Sequence, residues 1–306
     1  MPYYANFVII WFGDGLTMMY IIANKTAGHG LAAKILVEVT NFMKTTGEEF
    51  TVLTTDYPGH STLLAKKAAK DNAKAVFVLG GDGTISEAAQ GLAGTGVPMG
   101  IIPAGTGNDI IRALNIPKDP LDALKFQLDM KPRKMDIVDA NERTFINVAG
   151  TGFDVETLIW TEKFRRKLKI RGMIPYFLGL VCTIVTHKDI DIELTLDGNT
   201  RQIRALILTV ANGSWFGGGM HVAKDARVDD GLLDVMLIHP IPKWKIPFLL
   251  PAFLTGEVAK YSFVELTRCK KVSVKRKGQI INLDGELHNI DSMDFSVRPG
   301  QITLMR

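Results

Sequence analysis

Three glycine-rich turns, each following an apolar run and each leading into a helix-patterned stretch, decide what this chain of 306 residues can fold into. Gly80-Gly81-Asp82-Gly83-Thr84 follows Ala75-Val76-Phe77-Val78-Leu79 and precedes Ile85-Ser86-Glu87-Ala88-Ala89. Pro103-Ala104-Gly105-Thr106-Gly107-Asn108-Asp109 follows Met99-Gly100-Ile101-Ile102 and precedes Ile110-Ile111-Arg112-Ala113-Leu114. Asn24-Lys25-Thr26-Ala27-Gly28-His29-Gly30 follows Tyr20-Ile21-Ile22-Ala23 and precedes a helical stretch over about 31–44. Apolar runs separated by helices are the pattern of strands buried on both faces of a parallel sheet. Ligands of such sheets sit beyond the carboxyl ends of the strands, so the three turns are expected to share one crevice. Residues without a Cβ let backbone N–H groups approach an anion, and a helix N-terminus adds the positive end of its dipole, which suits phosphate. One such turn alone also fits a plain strand-to-helix connection; the repetition favours a ligand. Asp82 carries the single charge of its turn. An acid beside an anion is unfavourable unless a cation or proton stands between, so Asp82 points to a nucleotide bound together with Mg²⁺.

The alternation continues with strands at 50–55, 75–79 and 99–102 and helices at 59–71 and up to 93, which predicts a doubly wound parallel sheet. Beyond about 134 the texture changes to period two, as in residues 190–199, whose Asp-Gly-Asn end is a hairpin turn. The reading is therefore an extension at 1–17, a nucleotide-binding α/β domain at 18–133, and a mostly antiparallel domain at 134–306. With 46% hydrophobic and 22% charged residues, the chain has enough apolar material for two cores. A net charge of +4, without interleaved basic and aromatic residues, is too weak for nucleic acid and fits a mild attraction to anionic membrane. Cys182 and Cys269 lack metal-ligand spacing and read as reduced thiols, which implies a cytoplasmic protein. No apolar run approaches the roughly 20 residues of a membrane span; 173–186 and 246–254 are short and broken by proline or glycine. The apolar segment Asn6 to Phe12 lacks a basic flank and a cleavage site, so it reads as a peripheral or poorly ordered segment rather than a signal peptide.

The three turns, with Asn147-Val148-Ala149-Gly150-Thr151-Gly152-Phe153-Asp154, Ala211-Asn212-Gly213-Ser214-Trp215-Phe216-Gly217-Gly218-Gly219-Met220, the run Asp225 to Asp234, and Asp284-Gly285-Glu286, resemble in order and spacing the motif series of the diacylglycerol kinase catalytic family, in its bacterial soluble lipid kinase branch. The resemblance covers most of the chain. The Gly-Gly-Asp-Gly-Thr element alone is shared with NAD kinases and, more loosely, phosphofructokinases; the later motifs are not. The resemblance implies a first domain like those of NAD kinase and phosphofructokinase, a β-sandwich second domain with its last strands near 301–305 returning toward the first domain, and a catalytic cleft between the two.

The implied reaction transfers the γ-phosphoryl group of ATP, with Mg²⁺, to a lipid hydroxyl, diacylglycerol to phosphatidate. Such a transfer needs triphosphate charge neutralised, the hydroxyl placed in line, and a carboxylate to accept its proton. By resemblance Asp284 is the base and Glu286 a close partner or the acceptor itself; a plain hairpin turn is the competing reading of Asp284-Gly285. Carried over position by position, Gly80, Gly81, Asp82, Gly83, Thr84 and Glu87 line the triphosphate and its metal. Gly105, Thr106 and Asn108 reach phosphates from the neighbouring loop, Asn24 and Thr55 close the adenosine side, and Lys169 matches a lysine near the phosphates. Asp136, at the crossing into the second domain, is expected as a further magnesium contact. A structural Mg²⁺ is implied at the Asp230 carboxylate and the carbonyls of Arg227 and Leu232, an oxygen-only set that suits the ion; an acidic turn is the alternative. The family commonly has asparagine in place of Ser86 and proline in place of Lys25 and Lys224.

The basic run Lys163 to Arg171 is either a solvated helix end or a dock for anionic lipid, and the apolar helix that follows, 173–185, would guide an acyl chain. His29, His60 and His221 border loops without metal spacing and read as incidental. The expected partner is a membrane lipid, met by peripheral contact at the inner face of the membrane, and a homodimer is common among such relatives. Other lipid alcohols (phosphatidylglycerol, a sphingoid base, an undecaprenol-like chain), NAD as acceptor, and a nucleotide-sensing protein without turnover remain alternatives.

Overall fold

The computed structural model describes residues 18–168 and 174–306. The expectations for residues 1–17, for Lys169 and for the end of the basic run fall outside the described residues. The chain divides into two units, Met1–Ile137 with Pro299–Arg306, and Val138–Arg298.

In the first unit the order is β1 (Met19–Ala23), α1 (Leu31–Thr46), β2 (Phe50–Thr54), α2 (His60–Lys70), β3 (Ala75–Gly80), α3 (Asp82–Leu92), β4 (Pro98–Pro103), α4 (Asp109–Ala113) and α5 (Pro120–Leu128). β1 lies between β2 and β3, and β4 follows β3, all parallel. The chain's last residues add a further parallel strand, Thr303 opposite Pro98 and Leu304 opposite Met99. Met19, Ile21, Phe77 and Leu79 pack against Ile35, Leu36, Val39 and Met43 of α1 and Leu124 of α5. Ile22, Val76 and Val78, which alternate with that set, are equally buried, while α2 and α3 pack on each other and against β1 and β3. Burial on both faces is why these strands read as unbroken apolar runs.

α5 is an element that periodicity alone does not give. Its local signal is Asp119-Pro120: the Asp119 carboxylate accepts from the N–H groups of Leu121 and Asp122, both at 3.0 Å, and proline takes the first helical position. The helix is needed because Gln127, fully buried, continues the pairing of β4 beyond the two positions, Pro98 and Met99, that the returning strand covers. Its Oε1 accepts from the Ile101 N–H at 2.7 Å and its Nε2 donates to the Ile101 carbonyl at 2.6 Å.

The second unit begins within β5 (Pro132–Ala140) and continues with β6 (Arg143–Phe145), β7 (Val148–Gly152), α6 (Phe153–Leu168), α7 (Ile174–Thr186), β8 (Ile190–Leu196), β9 (Asn199–Ala205) and β10 (Ile207–Ala211). Two short strands, β11 (Trp215–Phe216) and β12 (Met220–His221), precede β13 (Leu233–Ile238), α8 (Leu250–Thr255), β14 (Val264–Cys269), β15 (Lys271–Leu283) and β16 (Glu286–Met305), the last of which carries the chain back into the first unit. Strand pairing within the unit is antiparallel: β7 with β10, β10 with β13, β13 with β14, β15 with β7, β8 and β16. Alternate residues such as Leu208, Val210, Val235, Leu237, Val272, Val274 and Phe295 form one core. The residues between them, Ile207, Ala211, Met236 and Ile238, meet the segment 246–253 and Phe153 in another. The fold is thus a parallel α/β unit and an antiparallel, strand-rich unit, as the sequence predicts. The expected hairpin turn is Asp197-Gly198, both at positive φ, 44° and 90°. Cys182 and Cys269 are free thiols. Among the described residues no helix is long and apolar enough to cross a membrane.

Candidate active site

In the first unit the three glycine turns lie together at the carboxyl ends of β1, β3 and β4. The Ala104 N–H donates to the Gly80 carbonyl and the Asn24 N–H to the Leu79 carbonyl, both at 2.9 Å. Asn24 Nδ2 donates to Thr84 Oγ1 at 3.0 Å, while Asn24 Oδ1 accepts from the Thr26 N–H and hydroxyl. A Cβ added to Gly105 would lie 2.6 Å from the Gly81 Cα, so these two turns touch backbone to backbone. Gly83, in contrast, opens onto space, with nothing within 4 Å of its Cβ position. Thr106 is exposed, and the Thr55 N–H donates to the Ala23 carbonyl at 3.0 Å beside them. Small residues at the turns, free space before Gly83, and the start of α3 at Asp82 make a site that fits an anion.

The acids of this unit are used differently from the sequence expectation. Asp82 turns its carboxylate to the next loop: Oδ2 accepts from the Asn108 N–H at 2.8 Å, and Oδ1 from the Asp109 N–H at 2.9 Å and the Ile110 N–H at 3.4 Å. These donors offset its charge and let Asp82 hold the neighbouring loop in shape. Asn108, at φ 51°, closes its own turn on Gly105 through Oδ1 and Nδ2. Glu87, expected at the triphosphate, takes the N–H groups of Gly59 at 2.8 Å and Ser61 at 3.2 Å and so fastens the start of α2. Asp136, expected at magnesium, is buried and accepts from the Gly300 N–H at 2.7 Å, tying β5 to the returning strand. Arg112, which the sequence reading passed over, pairs with the buried Asp109 at 2.8 Å and donates to the Gly107 carbonyl, which stiffens the same loop. Its signal was local, an arginine three residues after an acid at a helix start.

In the second unit Asp284-Gly285 is the two-residue turn between β15 and β16, at φ 48° and 99°. The turn residue is also a hub. Asp284 Oδ2 accepts from the Ile146 N–H at 2.8 Å, and Oδ1 accepts from the N–H groups of Asn147 at 3.0 Å and Val148 at 3.1 Å. The N–H groups of Asn212 and Gly213 donate to the Asn147 carbonyl, both at 2.9 Å, and Asn147 Nδ2 donates to the Trp215 carbonyl at 2.8 Å. Three sequence motifs thereby meet around one carboxylate. Glu286 is exposed, its carboxylate 3.8 Å from His288 Nε2. Burial, then the nearby Arg143, holds His288 below the usual histidine range, so it brings little positive charge to Glu286 near neutral pH.

The segment Asp225 to Asp234 is drawn together by Arg268. Its guanidinium contacts Asp234 at 2.9 Å and Asp230 at 3.4 Å and donates to the Asp225 carbonyl at 2.7 Å. Burial pushes the Asp234 carboxyl up, and Arg268 opposes that shift. Asp230 Oδ1 also accepts from the Leu232 N–H at 3.1 Å. Among the described residues no group of three or more His, Cys, Asp or Glu side chains is set to hold a metal. The expected donors at Arg227, Asp230 and Leu232 are hard oxygens of one turn, a chemistry that suits Mg²⁺.

Residues 18–140 match the family described as diacylglycerol kinase catalytic domain, and residues 147–306 the family described as YegS C-terminal NAD kinase beta sandwich-like domain. A diacylglycerol kinase of Mycobacterium tuberculosis is 32% identical over 293 residues, covering 93% of this chain and 94% of that protein. A diacylglycerol kinase of Bacillus subtilis is 32% identical over 272 residues, covering 87% and 88%. The crystal structure of a diacylglycerol kinase from Bacillus anthracis aligns with a TM-score of 0.73 over 99% of this chain and 98% of that one at 19% identity, a likeness of fold. At 32% identity over 93% of its length to such a relative, and with family models matching both parts of the chain, this chain belongs to the diacylglycerol kinase catalytic family, a family of lipid kinases.

Proposed function

We propose that this chain transfers the γ-phosphoryl group of ATP to the hydroxyl of a membrane lipid, with diacylglycerol as acceptor and phosphatidate as product. The observation that carries the reading is the junction of three glycine turns at the strand ends, with open space before Gly83. In this reading the backbone of Gly80 to Gly83 and Gly105, with Thr84 and Thr106, binds the phosphates. Asn24 and Thr55 border the nucleotide, and Asp82 and Asn108 keep the second turn in shape. Mg²⁺ arriving with ATP supplies charge neutralisation of the triphosphate. The structural ion would be held by Asp230 and the carbonyls of Arg227 and Leu232. Both oxygens of Asp284 accept from backbone donors, which favours Glu286 as the carboxylate that takes the hydroxyl proton and Asp284 as the residue that fixes the turn carrying it.

The test is transfer from γ-labelled ATP to a panel of diacylglycerol, phosphatidylglycerol, a sphingoid base, a polyprenol and NAD. Labelled phosphatidate is the expected product. Labelling of NAD alone would overturn the lipid assignment, and nucleotide binding without any transfer would favour a sensor. Glu286→Gln should lower turnover about 10²–10⁴-fold, the usual contribution of a general base, with nucleotide affinity unchanged; turnover at the wild-type level removes Glu286 from that role.

A further inference from the structure

α7 is inside out. Its inner positions are Pro175, Gly179 and Thr183, small or polar and buried, and they meet Thr157 and Thr161 of α6, where a Cβ on Gly179 would lie 2.5 Å from Thr161 Oγ1. The three threonine hydroxyls donate to carbonyls of their own helices, so this polar seam is satisfied internally. The outward positions are Phe177, Val181 and Val185, and Phe177 is 63% exposed. A helix that ends against water carries the opposite pattern, large apolar residues inward and polar residues outward. No residue of α7 is charged.

The segment after β13 is apolar on both its inner and its outer side. Ile246, Leu249 and Phe253 pack inward with Leu180 and Ile184 of α7. Trp244, Phe248 and Leu254 stay outside, at 67%, 69% and 55% exposure. The two outward faces adjoin, since Lys243 Nζ donates to the Val185 carbonyl at 2.7 Å. A contiguous apolar face of this kind marks an interaction surface.

We propose that this face, with Trp244, Phe248 and Phe177 as its anchors, inserts into the headgroup and upper acyl layer of an anionic bilayer. The charges choose the occupant. Residues 243–256 contain Lys243 and Lys245 and no acid, and the last turn of α6 carries Lys167 beside Arg165 and Arg166, two cations that share the single carboxylate of Glu162 and leave the turn net positive. Lys245 lies 5.4 Å from the Trp244 ring centre and Lys163 lies 4.4 Å from that of Trp160. Tryptophan and lysine side by side around apolar residues suit the layer where acyl chains meet phosphate. A second copy of the chain fits less well, because a two-fold interface would set this basic rim against itself. The proposal rests on reading the acceptor as a membrane lipid.

The experiment is flotation of the full chain with vesicles of phosphatidylcholine alone and of phosphatidylcholine with one quarter phosphatidylglycerol, without ATP or diacylglycerol, alongside kinase assays on a dispersed short-chain diacylglycerol. The wild type should float with the anionic vesicles. Trp244→Ser combined with Phe248→Ser should weaken partitioning on the order of a hundredfold, the effect of leaving two large apolar side chains unburied, with short-chain turnover and the melting temperature unchanged. Failure of the wild type to float, equal flotation of the double variant, or a dimer in solution that Phe177→Glu separates would each overturn the surface. Flotation without phosphorylation of any lipid would instead leave the surface standing and remove the kinase reading.

Discussion

Asp82, Glu87 and Asp284 do the same job in three places: each takes two or three backbone N–H groups of another segment onto its carboxylate. Charged acceptors of this kind are among the stronger hydrogen bonds in a protein, and removing one leaves its donors unpaired. Asp284→Ala should therefore cost about 2–4 kcal/mol of stability as well as turnover, whereas Glu286→Gln, at an exposed position, should leave the urea midpoint in place. Equal midpoints for Asp284→Ala and wild type would show that the three bonds to Asp284 are not stabilising. Asp154 is a buried acid of another kind. Burial pushes its carboxyl up to about 6, opposed by the N–H groups of Val155 and its own residue and then by His187, and its Oδ1 has no hydrogen-bond partner. Below pH ~4 the folded and unfolded forms are both protonated and the site costs nothing. Between about 4 and 6 only the unfolded form ionises, so stability falls as pH rises, and above 6 the penalty is complete at roughly 3 kcal/mol. Asp154→Asn lacks the penalty, so urea unfolding from pH 4 to 7 should show the variant gaining on wild type across that window; parallel curves would remove the burial argument.

At the scale of elements, apolar runs and glycine turns placed β1, β3, β4 and their helices because both signals are local. α5 escaped that logic: its nine residues carry a weak stripe, and its purpose is a single contact made 26 residues away, Gln127 on Ile101. Gln127→Leu would keep the volume and strand two backbone groups in the core. A loss of about 2–4 kcal/mol is expected, read as a lower thermal midpoint of the first unit; a variant as stable as wild type would mean that water replaces the amide. The helix expected over 173–185 is present as α7, yet its reversed faces were hidden in the sequence, where an uncharged stretch of this length reads equally as a core helix. Only the close fit of Gly179 to Thr161 shows which side looks outward.

For the whole molecule, the chain leaves the first unit at Ile137 and re-enters it at Pro299, so the first unit is completed by its last eight residues. Ile302 and Leu304 are fully buried there. A chain ended at Gly300 loses two core side chains, each worth about 1.5–3 kcal/mol, together with a strand of the sheet. Limited proteolysis should then cut within residues 18–137 while 138–298 stays protected; an intact first unit would show that the returning strand is dispensable. The amino-acid sequence by itself determined the order of elements, the three phosphate-type turns and the family, because periodicity and glycine placement act between near neighbours. Tertiary structure alone decided which carboxylates are occupied, since the Asp82 and Asp284 oxygens find their donors 26 and 138 residues away, and which face of α7 looks outward.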